Sequence, residues 1–218
     1  MLDKPSTSDQ IPQTFRIKVA PSQLSGDFEV HFFAGETNLI DFFGDGSVGL
    51  DPWDVLKDAC QLRVQSTPHE ALIGLCGCGC LGCSNLDVEI RLESGQVVWT
   101  DPYTPKSVRF SESQYHAEIE RALSDRSWET PVRTAERLIA SAIDHTALAE
   151  QGFKFDWASG RDTAGMMAVS LKHIQKSYQI VVEIPWSGDN VAEIASAFHG
   201  MLKQPTDTWP IVFRPGSK

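Results

Sequence analysis

The chain has 218 residues, of which 41% are apolar and 22% charged, an ordinary globular composition that excludes a disordered or low-complexity protein. Its net charge is −10, so the general basic footprint of a nucleic-acid binder is missing. No stretch approaches the roughly 18 consecutive apolar residues of a membrane span, and the first residues, MLDKPSTSDQ, lack a signal-peptide pattern. The expectation is a cytoplasmic protein with no membrane and no nucleic-acid partner.

The chain opens on a polar stretch, read as a flexible N-terminus over 1–12. Phe15, Ile17 and Val19 then alternate with polar residues, which predicts a strand. Phe28, Val30 and Phe32 predict a second. Gly35-Glu36 offers a turn into a third apolar run, Leu39 to Phe43, giving a hairpin. Asp51 before Pro52 predicts a short helix with Trp53, Leu56 and Ala59 on its apolar side. The run Ala71–Leu75 leads into a cysteine cluster. Beyond it, Val88, Ile90 and Leu92 alternate, Ser94-Gly95 turns the chain, and QVVWT returns. Ser111 with Gln114 reads as a capping box for a helix to about residue 124. Thr130-Pro131 opens an amphipathic helix that Gly152 ends. Three alternating runs follow, around Phe155, Val169 and Val182. Asn190 and Glu193 then cap a helix carrying Ile194, Phe198 and Leu202, and TWPIVF reads as an edge strand.

Successive hairpins interrupted by helices predict an α+β fold, mostly antiparallel, with three to four helices. The organisation expected is a β-rich half over 13–125 carrying the cysteine loop and an α+β half over 126–218. One continuous domain sharing one sheet is the alternative.

Four of the five cysteines fall in Cys76-Gly77-Cys78-Gly79-Cys80-Leu81-Gly82-Cys83. Thiolates are soft ligands, and three or four of them suit zinc. Four ligands so close in sequence are cramped. A mixed site is therefore weighed, with Cys76, Cys78 and Cys83 joined by His69 or Cys60, beside the all-thiolate set that adds Cys80. The competing readings are small packing residues in a tight loop, a disulfide within it, or a C-x-x-C redox pair at Cys80 and Cys83. The redox pair lacks the helix start that would activate its first thiol, because a strand follows. Iron–sulfur spacing does not fit.

The stretch Cys76-Gly77-Cys78-Gly79 with Gly82-Cys83 resembles the C-x-C-G-x-x-G-C signature of an uncharacterised bacterial protein family. The family's V-x-W-[ST]-D run is similar to Val97-Val98-Trp99-Thr100-Asp101. Its F-x-x-x-x-Y helix start is similar to Phe110 through Tyr115, and its G-L-x-P run to Gly49-Leu50-Asp51-Pro52. The resemblance covers roughly residues 45–125. It implies a shared structure in which Cys76, Cys78 and Cys83 are the family positions, and it implies no activity.

Gly44-Asp45-Gly46-Ser47-Val48-Gly49 matches G-x-G-x-x-G, yet no nucleotide is expected. Asp45 would repel phosphate, Asp51 caps the helix that would hold it, and no βαβ unit surrounds the motif. Neither H-E-x-x-H nor G-x-S-x-G occurs, so nothing points to an enzyme.

Charge is unevenly spread. Residues 27–58 hold Asp27, Glu29, Glu36, Asp41, Asp45, Asp51, Asp54 and Asp58 against the single base Lys57. Such a segment is either a solvated face or a docking surface for a basic protein, with Glu36, Asp41, Asp45 and Asp54 as candidate contacts. The first functional expectation is a non-enzymatic binder of a protein partner, of the immunity or antitoxin type. The alternative is a zinc-binding or thiol-redox protein using Cys76–Cys83.

Overall fold

Alternating burial along Phe15–Pro21 (β1) and Phe28–Ala34 (β2) makes them antiparallel partners, with Phe15 opposite Ala34 and Ile17 opposite Phe32. The computed structural model describes residues 11–22, 26–57, 59–78, 83–161 and 163–213. Most of the expected N-terminal tail lies outside them. The fold is α+β, with twelve strands in three antiparallel sheets and six helices among the described residues. The chain divides into two compact units, Met1–Trp128 and Glu129–Lys218. Each sheet draws its strands from one unit only. None of the helices described is long and apolar enough to cross a membrane.

In the first unit, the expected strand over Leu39–Phe43 is a helix. Only Thr37–Asn38 (β3) pairs with β2, and Leu39–Phe43 (α1) follows. The Asn38 side chain accepts the Ile40 N–H at 3.1 Å, and Leu39, Ile40 and Phe43 are buried together at helical spacing. The Asn38 cap starts the helix, and the burial of Leu39, Ile40 and Phe43 at helical spacing favours it over a strand.

The second sheet runs Ser47–Val48 (β4), His69–Cys76 (β5), Asn85–Glu93 (β6), Gln96–Thr100 (β7) and Ser107–Ser111 (β8), each hydrogen-bonded to the next. Ser94 and Gly95 take φ of 50° and 77°, the paired positive values of a tight hairpin turn. Pro52–Val55 (α2) is capped by the Asp51 carboxylate, which accepts the Trp53 N–H at 2.9 Å. The apolar side expected for α2 is corrected: Pro52, Val55 and Leu56 are buried, Trp53 is only half-buried and Ala59 is exposed. The helix lasts one turn, so its face does not reach residue 59. Gly49 explains the G-L-x-P run in steric terms. A Cβ there would lie 2.4 Å from the Val30 carbonyl oxygen, and the next residue's carbonyl, Leu50, accepts the Val30 N–H.

Glu112–Ser124 (α3) forms where expected, but the capping box does not. The Ser111 side chain makes no capping bond. Gln114 instead reaches across to β1, accepting the Phe15 N–H at 2.8 Å and donating to its carbonyl at 2.7 Å. Glu118 accepts the Ile17 N–H at 2.7 Å, and Arg121 donates to the Ile17 carbonyl. Three side chains of α3 thus stand in for a neighbouring strand along the edge of β1. Ser111→Ala is expected to change stability by less than about 0.5 kcal/mol, and Gln114→Ala to cost about 1–3 kcal/mol. Urea titrations of the two variants check this, and equal effects would contradict the edge assignment. The core beneath is aromatic: Phe15, Phe32, Trp99, Phe110 and Tyr115 are fully buried and in mutual ring contact.

In the second unit, the expected helix from Pro131 to Gly152 is two helices, Pro131–Ala142 (α4) and His145–Glu150 (α5). Ile143 is extended, and the Asp144 carboxylate accepts the N–H groups of Thr146 and Ala147, which starts a second helix. With α1, this split raises the helix number among the described residues to six, above the three to four expected. Phe153–Ser159 (β9), Met166–His173 (β10), Gln179–Pro185 (β11) and Ile211–Phe213 (β12) form one sheet in the order β12-β11-β10-β9. Val191–Leu202 (α6) is capped by Asn190, which accepts the Glu193 N–H at 3.2 Å and donates to its carboxylate at 3.0 Å. Ile139, Met167, Val169, Leu171, Val182 and Phe198 form the core.

Candidate metal centre

The cysteine loop joins β5 to β6. Its neck is fixed by the ladder: Cys76 pairs with Ser47 of β4, and its N–H donates to the Ser84 carbonyl at 2.9 Å. Glycines set how close the loop can lie to its neighbour. A Cβ on Gly77 would come 2.6 Å from the Gly46 carbonyl oxygen, and one on Gly74 would come 2.8 Å from that of Val48. Side chains at these positions would push the loop off the 46–48 backbone. The 46–48 backbone of the glycine-rich run is therefore the surface against which Gly74 and Gly77 lie.

Held this way, the Sγ atoms of Cys76, Cys78 and Cys83 all lie within 4.8 Å of one another. Cys76 is half-buried; Cys78 and Cys83 are exposed. Zinc–sulfur bonds of about 2.3 Å in tetrahedral geometry place sulfurs about 3.8 Å apart, a separation the 4.8 Å span of this group includes. The three cysteines could hold a metal ion. The Cys83 thiol is pushed up to about 11 from an ordinary 9.0. Its hydrogen bonds with Cys76 and Cys78 come first among the causes, then the charge these two carry when ionised. A cation relieves that repulsion, since metal binding replaces the shared protons.

The other candidate ligands are elsewhere. His69 is at the opposite end of β5, seven residues and about 23 Å of extended strand from Cys76. Its Nε2 lies 2.8 Å from the Gln61 carbonyl oxygen. A site joining His69 to the cysteines is thereby corrected, because the length of β5 separates them. Cys60 is corrected in the same way. It is 5% exposed in the apolar core, and burial raises its thiol despite N–H bonds from Leu62 and Arg63. Cys80 lies outside the described residues.

The acidic candidates do not gather on one element. Glu36 is exposed in the β2–β3 turn and paired with Arg16 at 2.9 Å. Asp41 is exposed on α1, Asp54 on α2, and Asp45 in the turn before β4. Glu29 is paired with His31 at 3.0 Å, and Asp51 is occupied with its cap. Asp58 lies outside the described residues.

Sequence reasoning missed the supporting roles of Gly46 and Ser84, which no motif signals. It also missed a buried ionic group in the second unit. Arg133 and Glu136 of α4 are 1% and 3% exposed and paired at 3.3 Å, and Glu136 also meets Arg161 at 3.2 Å. Arg133 and Glu136 are i,i+3 neighbours on α4, but Arg161 stands 25 residues beyond Glu136, so no local pattern joins it to them.

No protein-family model, no curated protein and no solved structure matches the chain.

Proposed function

We propose that the protein binds one zinc ion in the β5–β6 loop through Cys76, Cys78 and Cys83. The observation that carries this is the convergence of three sulfurs within 4.8 Å from a single short loop whose backbone is fixed by the sheet on both sides. Three thiolates select a soft or borderline metal over magnesium or calcium. A tetrahedral site has a fourth position, which a water completes. Because the aromatic core of the first unit is built without the loop, the metal orders the loop rather than the fold.

The test is the metal content of untagged protein purified under reducing conditions without chelator. About one zinc per chain is expected. Cys78→Ser and Cys83→Ser should each weaken zinc binding at least ~100-fold, given how few ligands remain, while circular dichroism is unchanged. Cys60→Ser and His69→Ala should leave it intact. Five titratable thiols and no metal would refute the reading.

A second reading is supported by Asp45. It is exposed, and the residue after it lies against Gly77, so this acid and the cysteine loop share one surface. A basic protein docking there would read both. Charge reversal at Asp41, Asp45 and Asp54 should then abolish capture of that protein without shifting the melting temperature.

A further inference from the structure

The three sulfurs of the centre differ in how well they are protected. Cys76 is half-buried, with its backbone locked between Ser47 and Ser84. Cys78 and Cys83 are exposed at the open side of the loop, and their sulfurs lie within 4.8 Å of each other. Zinc keeps coordinated thiols deprotonated at neutral pH, and the thiolate is the form that oxidants attack. An oxidised sulfur at Cys78 would meet a second thiolate within one side-chain rotation. A disulfide needs S–S near 2.05 Å, which four intervening residues permit. Once that bond forms, two of the three converging ligands are gone.

We propose that the centre is redox-gated: a peroxide joins Cys78 to Cys83 and the zinc leaves. The inference rests on the zinc reading above. The Cys78 thiolate attacks hydrogen peroxide; an S–O bond forms, the O–O bond breaks and hydroxide departs, leaving a sulfenic acid. The Cys83 thiolate then attacks that sulfur; the S–S bond forms, the S–O bond breaks and a second hydroxide departs. Two solvent protons convert the hydroxides to water. The two thiolates supply the two electrons that peroxide accepts, and zinc leaves as the same divalent ion. A dithiol reverses the change by exchange, taking up the two electrons' worth of oxidation as its own disulfide. Cys60, 5% exposed in the core, is an internal control that the oxidant does not reach.

The experiment uses the zinc-loaded full chain. Hydrogen peroxide is added in small molar excess beside a chromophoric zinc chelator, with thiols counted and the bridge located by fragmentation in a mass spectrometer. Expected are release of about one zinc per chain, loss of two of the five thiols, a Cys78–Cys83 bridge, and rebinding of zinc after dithiothreitol. Cys60→Ser, altered only in the core, should release zinc and form the same bridge as the parent does. Zinc that stays bound under peroxide overturns the inference and leaves the zinc reading standing. So does release accompanied by sulfonic acids, by a bridge through Cys60 or Cys80, or by a loss that dithiothreitol does not restore. Reduced protein that takes up no zinc overturns the zinc reading itself, and this inference with it.

Discussion

Glu136→Ala should destabilise the protein by about 3–5 kcal/mol, the cost of breaking a buried ion pair from one side, seen as a lower urea midpoint for loss of the second unit's structure. The Glu136 carboxylate is 3% exposed and serves three groups: the Arg133 guanidinium at 3.3 Å, the Arg161 Nε at 3.2 Å and the Gly160 N–H at 3.0 Å. It ties α4 to the end of β9 and the turn beyond. Alanine removes the acceptor of the Gly160 N–H and takes one counter-charge from a guanidinium that is itself 1% exposed. Substituting only Arg161, 40% exposed, should cost much less, since its guanidinium can reach water.

The same carboxylate gives a pH signature. Burial raises Glu136 above its ordinary 4.5, and Arg161, the Gly160 N–H and Arg133 only partly offset this. The folded state therefore holds the proton more tightly than the unfolded state. Its contribution is complete below pH 4.5 and is lost as pH rises through the folded value. Glu93, Asp101 and Asp125 have the opposite sign: their carboxyls are held low and their contributions disappear as pH falls. The difference between the parent and Glu136→Gln isolates the glutamate. That difference should change with pH above 4.5, moving against the parent as the carboxylate ionises. A difference independent of pH would show that Glu136 titrates normally.

Trp99→Ala is the second large loss, expected at about 3–5 kcal/mol and located in the first unit. The ring is fully buried on β7, with centroids 5.2 Å from Phe15, 5.7 Å from Phe32 and 5.8 Å from Phe110. Its Nε1–H donates to the Tyr115 hydroxyl at 3.2 Å, and that hydroxyl donates to the Leu62 carbonyl at 2.7 Å. Removing the indole leaves a cavity where two sheets and α3 meet, bordered by the buried rings of Phe15, Phe32 and Phe110. Near-ultraviolet circular dichroism and thermal melting should both register the change. Retention of the parent melting temperature would refute the packing argument. Tyr115→Phe separates the polar part: it removes the hydroxyl that accepts from Trp99 Nε1 and donates to the Leu62 carbonyl, and should cost about 1–3 kcal/mol.

Where period and turn chemistry agreed, the amino-acid sequence by itself determined the structure. The hairpins β6–β7 and β9–β10 follow from alternation bounded by glycine turns, and β11 from its own alternation after a polar turn. The start of α2 follows from Asp51-Pro52, and that of α6 from Asn190 and Glu193. Short-range physics settles these elements, because the deciding atoms lie within four residues of one another. The sequence also marked the cysteine run as the place where unusual chemistry sits. Tertiary structure decided what local pattern could not. Leu39–Phe43 carries an apolar run that suits strand or helix, and the pull of the core on Leu39, Ile40 and Phe43 chose helix. Gln114 reads as half of a capping box, yet an edge strand 99 residues away offered it two stronger bonds. Among the six residues considered for metal, nearness in sequence placed His69 within reach, but a strand is rigid and extended, so it carries His69 away from Cys76. The loop at its other end packs Gly77 against the Gly46 carbonyl and brings Cys76, Cys78 and Cys83 together. The sequence supplied the ligands, and the fold, by fixing the hairpin neck, selected which of them meet.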